Sequence, residues 1–513
     1  MAHGALLLQA DHGIEGKWTR AIASALELVR SRLHVAAGKW LAAVALVVAC
    51  AVASAASPAL AQRARVERLV QLSGASPFPG PCGASAIAQR DAEVEPSIAV
   101  DPRAPRRIVA AWIQDDGRSN LVMASRDGGR TWARVLVPGL TDCTGGTVSA
   151  AADPWLSFAG DGRLLLSSGT ANLPHLPGPT FGPEPSQLVS RSADGGLSWS
   201  LPATVQFEPG VYSDKSAVTA DQLRRGRAYD AWTVRTGPDE DTGSAWFSRS
   251  SDGGRAWSPQ RLVYDPGKEH VAPFGNVIAV LPHRVLLYVM TVEDDASNAE
   301  DVMAARSIDG GRSWSRPGLI AHANFNSAVD PDAGTEVGGT PGDALVSVGP
   351  DGVPTVAWND LASPDASRVL VSRSRNGGRS WSRPVAVSNV RGQAFQASVA
   401  AAGDGTLGVT WYDDRRDPGG PAAWEFDVWF AFSRDGGRSW RRSHLAGPFD
   451  MNRAQAIEGV ERRIGDYQSL AGLAHGFVAA FTQAPPQAKI GASDVFFADV
   501  RTGNRPRRPG HRR

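Results

Sequence analysis

Carboxylates, guanidinium groups and phenols gather at two places in this chain. The run Trp411-Tyr412-Asp413-Asp414-Arg415-Arg416-Asp417 is the densest polar cluster. The run Arg462-Arg463-Ile464-Gly465-Asp466-Tyr467-Gln468 sets basic, acidic and phenolic groups side by side. Guanidinium forks match the paired oxygens of an anion, so the first run suits an anionic ligand. The same residues equally make a network of surface ion pairs holding a long loop. Acids and amides also recur singly, at Glu95, Asp153, Asp214, Asn276, Asp343, Gln396 and Asp466, and others close apolar runs at Asp115, Asp116, Asn359 and Asp360. If these single residues face one funnel, they form a ligand or cation site.

What must position them is a repeat. The pattern Ser-x-Asp-Gly-Gly-x-x-Trp runs from Ser125 to Trp132, Ser192 to Trp199, Ser250 to Trp257, Ser307 to Trp314 and Ser433 to Trp440. A sixth copy, Ser374 to Trp381, carries Asn376 in place of Asp. The Asp or Asn steps by 57 to 67 residues, the length of a four-stranded sheet with its loops. Short Ser and Asp side chains accept hydrogen bonds from nearby backbone N–H groups and close a turn. Glycine supplies a positive φ, and the Trp packs its ring across the hairpin. Alternating branched or aromatic residues around short turns, as in Leu164 to Ser168 or Thr355 to Trp358, read as strands. Each unit is therefore strands A to D with the box in the C–D turn. A last unit without a box comprises Tyr467–Ala471, Phe477–Phe481 and Val495–Ala498. It lacks one strand, and Val66–Leu72 supplies it, closing the ring with no exposed edge.

The fold class is thus an all-β propeller of four-stranded antiparallel blades, seven favoured and six with an appendage as the alternative. The boxes and minimal A–B turns share one face. The long loops share the other: Thr170–Glu184, Glu293–Glu300, Asp413–Trp424 and Gln483–Ala492 between strands B and C, and Gly139–Ala152, Ala321–Gly342 and Gly447–Gly465 between strands D and A. Binding and chemistry concentrate on such loops, so the face opposite the boxes is the functional one.

The boxes are Asp boxes, and through them the chain resembles the sialidase superfamily of bacterial-neuraminidase-repeat proteins over nearly its whole exported part. That resemblance implies an arginine set on a substrate carboxylate, a tyrosine nucleophile activated by a carboxylate, and an acid/base Asp. The residues offering these parts are Arg415, Arg416, Arg462 or Arg463; Tyr412 or Tyr467; and Asp153, Asp214 or Asp466. Glu95, Asp115, Asp343, Asn359, Asp360, Asp413 and Arg463 are the expected binding residues. The Phe/Tyr-Arg-Ile-Pro motif has no recognisable counterpart, and Glu95-Pro96-Ser97-Ile98 stands near its place. Three functions stay open. They are a sialidase-like glycoside hydrolase (exo-α-sialidase-like), a two-carboxylate glycosidase, and a non-catalytic propeller binding a glycan or protein partner.

Charge excludes other classes. Lys+Arg 53 against Asp+Glu 52 gives a net +1, with no general attraction for nucleic acid or anionic membrane. No nucleotide loop, zinc signature or Ser/His/Asp pattern stands out, so no metal and no cofactor is expected. Lys39, the apolar run Trp40–Ala53 and the small residues Ala59 and Ala61 read as a secretory leader over 1–61, cleaved after Ala61. Val47-Val48-Ala49-Cys50 resembles a lipoprotein box, which would anchor the protein at the surface instead. The run is short for a membrane span. Export leaves Cys82 and Cys143 to form one disulfide in an oxidising compartment. Residues 62–500 then form the propeller, expected as a monomer, and 501–513 a disordered basic tail.

Overall fold

The computed structural model describes residues 63–503 apart from 79, 81, 83–88, 172–185, 208–211, 237–240, 295–296, 298, 325, 339–341, 364–365, 390–391, 421, 458–460 and 485–492. The leader, Cys50, the tail beyond Gly503 and most of the loops Thr170–Glu184 and Gln483–Ala492 lie outside the described residues. No described helix is long and apolar enough to cross a membrane.

The chain is an all-β propeller. Seven described sheets have four antiparallel strands in sequential order, with A innermost. The inner strands are Val94–Val100, Ala150–Phe158, Tyr212–Ala220, Val271–Val280, Leu345–Val348, Ala394–Ala401 and Ser469–Gly472. Successive inner strands adjoin, and the first also adjoins the last. In the last sheet the outer strand is Arg65–Gln71, paired antiparallel with Asp494–Arg501 from Arg65↔Arg501 to Gln71↔Phe496. The N-terminal strand therefore completes the C-terminal sheet, which leaves no unpaired edge between chain start and chain end. Strands B are buried along nearly their whole length, because each is covered by neighbouring sheets on both faces; Trp112, Trp232, Trp358 and Trp411 lie at their centres.

The boxes behave as turns. In every copy the Ser hydroxyl accepts from the second glycine's amide at 2.7–2.9 Å. Asp127 Oδ1 accepts from the Arg130 and Thr131 amides at 2.9 Å, and Asp435 repeats this with Arg438 and Ser439 at 3.0 Å. Asn376 keeps both amide bonds and reverses the polarity of a third. Its Nδ2 donates to Ser380 Oγ at 2.7 Å, where Asp309 instead accepts from Ser313 Oγ at 2.6 Å.

Two features differ from the sequence expectation. Both glycines of each box have positive φ, from 71° to 89°, and the Trp packs sideways rather than only across its own hairpin. Trp132 meets Phe497 of the last sheet at 5.1 Å, and Trp314 meets Phe247 of the preceding sheet at 5.1 Å. The second glycine is the point of closest approach: a Cβ on Gly129 would lie 2.5 Å from the Phe497 ring, and one on Gly378 would lie 2.5 Å from Leu287. Arginines of the preceding sheet clamp the first glycine's carbonyl. Arg68 reaches Gly128 O at 2.8 Å, Arg249 reaches Gly310 O at 2.7 Å, and Arg373 reaches Gly436 O at 3.3 Å. Each box is thus a joint between sheets as well as a turn.

The long D–A segments Ala321–Gly342 and Gly447–Gly465 are not irregular. They combine into an eighth small sheet, Ala328–Val329, Glu336–Gly338, Glu461–Arg463 and Gln455–Ile457, through the parallel pair Glu336↔Glu461. This sheet fixes the entry to the last inner strand. Cys82 and Cys143 are joined, with Cα atoms 5.0 Å apart.

The two box glycines separate conformation from packing. Gly128→Ala meets only the positive-φ penalty, about 1 kcal/mol, because nothing lies within 4 Å of its Cβ. Gly129→Ala adds overpacking against Phe497 and should cost about 2 kcal/mol more. Urea denaturation midpoints of the two variants check this, and equal losses would mean that the second glycine is not a packing contact.

Candidate functional site

The inner strands share a local device. A register shift interrupts A–B pairing near the start of each of five inner strands, between Val94 and Ser97, Ala152 and Trp155, Asp214 and Ala217, Phe274 and Val277, and Phe395 and Ser398. One residue inside each interval has positive φ: Glu95 (55°), Asp153 (48°), Lys215 (54°), Gly275 (61°) and Gln396 (51°). Such bulges re-aim a side chain, and left-handed backbone at a non-glycine residue is tolerated where the surroundings enforce it. The bulge corrects the sequence alignment at two places. Lys215, not Asp214, and Gly275, not Asn276, occupy the positions equivalent to Glu95 and Asp153. Asp343 and Asp466 instead follow left-handed glycines, Gly342 (77°) and Gly465 (93°).

These sockets converge on the ammonium group of Lys215. Its Nζ contacts Asp466 Oδ2 directly and stands 3.7 Å from Asp153 Oδ1 and 3.8 Å from Glu95 Oε1. Asp153 Oδ2 also accepts from the Lys215 amide at 3.2 Å. Arg463, held by the eighth sheet, bonds Glu95 Oε1 at 2.9 Å and lies 3.6 Å from Asp466. Arg235 pairs with Asp214 at 3.0 Å and Glu293 at 3.7 Å. Phe274 underlies two of the cations, 5.4 Å from Lys215 and 5.6 Å from Arg235. Tyr467 donates its hydroxyl to Pro154 O at 3.2 Å, and its ring meets Trp155 edge-on at 5.5 Å. Side-chain exposure rises from 0% at Glu95 through 6% at Lys215, 10% at Asp153 and 12% at Asp466 to 27% at Arg463. The cluster therefore opens on the Arg463 side, with Glu95 at its floor.

Burial and like charge drive the carboxyls apart. Burial pushes Glu95 and Asp153 up, only partly offset by Lys215. Burial likewise pushes Asp343 up to about 8, helped by Asp466 and Glu95. Asp466 goes the other way: although burial opposes it, Lys215 and Arg463 hold its carboxyl below the usual range. Lys215 stays charged, its carboxylate neighbours outweighing burial. Burial, with Glu95 and Asp153 nearby, pushes the Tyr467 phenol well above its ordinary value. Carboxyls with raised and with lowered proton affinity thus share one ammonium group, an arrangement that can donate a proton at one point and accept one at another.

Of the residues singled out from sequence, the structure brings together Glu95, Asp153, Arg463, Asp466 and Tyr467, with Asp343 and Asp214 beside them. Others lie apart. Tyr412 is in the core, its hydroxyl donating to Thr482 O and accepting from Thr482 N, both at 2.9 Å. Arg415 is bound by both oxygens of Asp413 and lies 3.7 Å above the Trp429 ring. Arg416 pairs with Asp427 at 3.4 Å. That dense run is the ion-pair network holding a loop. Asp360 accepts from the Asn324 amide at 3.1 Å, Asn359 accepts from the Ala397 amide at 3.4 Å, and Asp115 belongs to a separate group with Asp91. Lys215 and Arg235 were missed. The one available signal is that Lys215 follows Asp214 directly in an inner strand otherwise like its neighbours.

No family model matches the chain, and no curated protein does. Solved structures similar in fold include a Hadza microbial sialidase (16% identity, 77% of this chain and 73% of that one, TM-score 0.45). Others are a Penicillium chrysogenum α-L-arabinanase complexed with arabinobiose (14%, 67% and 94%, 0.44) and the α-L-arabinofuranosidase Arb93A of Fusarium graminearum (12%, 85% and 98%, 0.45). The likeness is one of architecture, and no residue's role here is taken from it.

Asp343 gives the cluster a measurable pH signature. Its folded value, about 8, lies above its ordinary 3.8. Across that window the folded chain holds a proton that the unfolded chain has released, so this group's stabilisation is full below the window and lost as pH rises through it. Asp343→Asn should therefore lose less stability than the parent between pH 5 and pH 9. Thermal midpoints that fall in parallel for the two proteins would mean that Asp343 is ionised in the fold.

Proposed function

We propose that this protein is an exported glycoside hydrolase that cleaves with two carboxyl groups. Asp466 acts as the ionised base or nucleophile and Asp153 as the acid. The observation that carries this reading is the geometry of the pair: both carboxyls lie within 3.7 Å of the Lys215 ammonium and both reach solvent, while burial pushes Asp153 up and Lys215 and Arg463 hold Asp466 down. Two carboxyl groups whose proton affinities are driven apart, one suited to give a proton and one to stay ionised, are what glycoside hydrolysis requires. Glu95 has no exposed surface and cannot touch a substrate. Beneath the pair it is a positioning residue, and Lys215 keeps Asp466 ionised.

The site's charge supports neutral glycans over sialosides. Arg463, Lys215 and Arg235 are each already paired with the chain's own acids, so none is left to fix a substrate carboxylate. Tyr467, with its proton engaged on Pro154 and its phenol shifted upward, is a poor nucleophile. Export rests on the leader over 1–61 and on the Cys82–Cys143 bond.

The test is turnover on a panel of aryl glycosides, sialosides and polysaccharides. On the best substrate, Asp153→Asn and Asp466→Asn should each lower kcat about 10³-fold, and Tyr467→Phe less than tenfold. A thousandfold loss in Tyr467→Phe on a sialoside would instead establish tyrosine-nucleophile chemistry. No turnover anywhere, with glycan binding retained, would make the protein a lectin-like binder.

A further inference from the structure

A second acidic group lies away from the central cluster, where the first and last sheets meet. Carboxylate oxygens of Asp91, Glu93 and Asp115 all lie within 4.8 Å of one another. Asp91 and Glu93 flank the short parallel bridge Ala92↔Ser493 that ties the segment before the first inner strand to the last sheet. Asp115 directly follows strand B of the first sheet and accepts the Asp91 amide at 2.9 Å. Asp91 accepts the Ser76 amide at 2.9 Å, and Asp115 also takes the Ser76 hydroxyl, so the group gathers the N-terminal segment as well.

Crowding three carboxylates in a buried place is unfavourable unless something positive stands among them. Arg118, 3.5 Å from Asp115, supplies one positive charge. Glu93 provides the observation that points to a ligand. It has no exposed surface, one oxygen takes the Gln114 amide at 2.5 Å, and the other, buried, has no hydrogen-bond partner. Gln114 also bonds Asp115 Oδ1 at 2.9 Å, which sets the Glu93 and Asp115 carboxyls alongside each other. A buried carboxylate oxygen without a partner, beside two other carboxylates, lacks the bond that a cation provides.

We propose that Asp91, Glu93 and Asp115 bind a hard divalent cation, of the calcium class, that braces the seam between the first and last sheets. The donors are all oxygens, which selects calcium- or magnesium-type ions over softer metals. The three carboxylates outnumber Arg118, the cation paired with Asp115, so the group carries the net negative charge that a divalent cation would offset.

The experiment uses the purified exported chain, stripped with chelator and dialysed. Calcium is titrated while the thermal midpoint is followed, and terbium while its emission is excited through tryptophan. Trp112 is the antenna, since its Nε1 bonds Gln114 at 3.0 Å, one step from both Glu93 and Asp115. Calcium should raise the midpoint saturably by several degrees and displace terbium. Glu93→Gln, which keeps the side chain's shape, should weaken terbium binding at least tenfold and abolish the midpoint shift with an unchanged circular dichroism spectrum. Asp91→Asn, on the more exposed ligand, gives the same readout should Glu93→Gln fold poorly. Asp153→Asn separates this site from the central acids and should bind terbium as the parent does. No saturable emission in the parent, or emission lost in Asp153→Asn and kept in Glu93→Gln, overturns the proposal and leaves a proton on Glu93 as the neutralising group.

Discussion

One buried ammonium group holds together the candidate site of this propeller. Lys215 comes from the third sheet, yet its partners come from three others: Glu95 from the first, Asp153 from the second and Asp466 from the entry to the last. Isolating any of these charges in the interior would be costly, and the pairing makes the arrangement tolerable only while all four sheets keep their places. The mouth is therefore rigid because its electrostatics require it. Removing the lysine would do more than delete a contact, since it would leave several carboxylates uncompensated at the ring's centre.

The opposite face is held differently. There the joints largely repeat: in four of the six boxes an arginine of one sheet bonds the first glycine's carbonyl of the next, and bulky side chains crowd the second glycine. These bonds join a charged donor to a neutral acceptor and depend on one neighbour alone. The Asn376 copy shows how local they are, because a reversed hydrogen bond to Ser380 leaves the turn intact. Repetition on one face and non-repetition on the other separates the scaffold joints from the candidate site.

This contrast also explains what could be read from sequence. The boxes were legible because every hydrogen bond that closes them lies within one short motif. The closing strand was legible because a unit short of one strand and a strand short of a unit stand at the two chain ends, although the boundary moved by one residue, to Arg65–Gln71. The site was only half legible. Residue type pointed to Glu95, Asp153, Asp343, Arg463, Asp466 and Tyr467, but the bulge inserts residues into the strand, so counting along the sequence selected Asp214 where the fold presents Lys215. The densest polar run misled for a related reason. Asp413 and Arg415 neutralise each other two residues apart, so density in sequence there reports local pairing. The eighth sheet was illegible, since its parallel pairing joins segments more than a hundred residues apart with no shared motif.

The bulge itself shows how one backbone device yields different chemistry. Five inner strands turn left-handed at the same place, and the residues there are Glu95, Asp153, Lys215, Gly275 and Gln396. Two present acids, one a cation, and one an amide that donates to Gly465 O. The glycine contributes by leaving space. A Cβ on Gly275 would stand 2.8 Å from Asp343 Oδ1, so the carboxyl of the fifth unit occupies room that the fourth gives up. Burial raises that carboxyl's hold on its proton, so it fills the space without placing another full negative charge beside Lys215. The scaffold fixes where the sockets are, and the residue in each socket fixes the charge it presents.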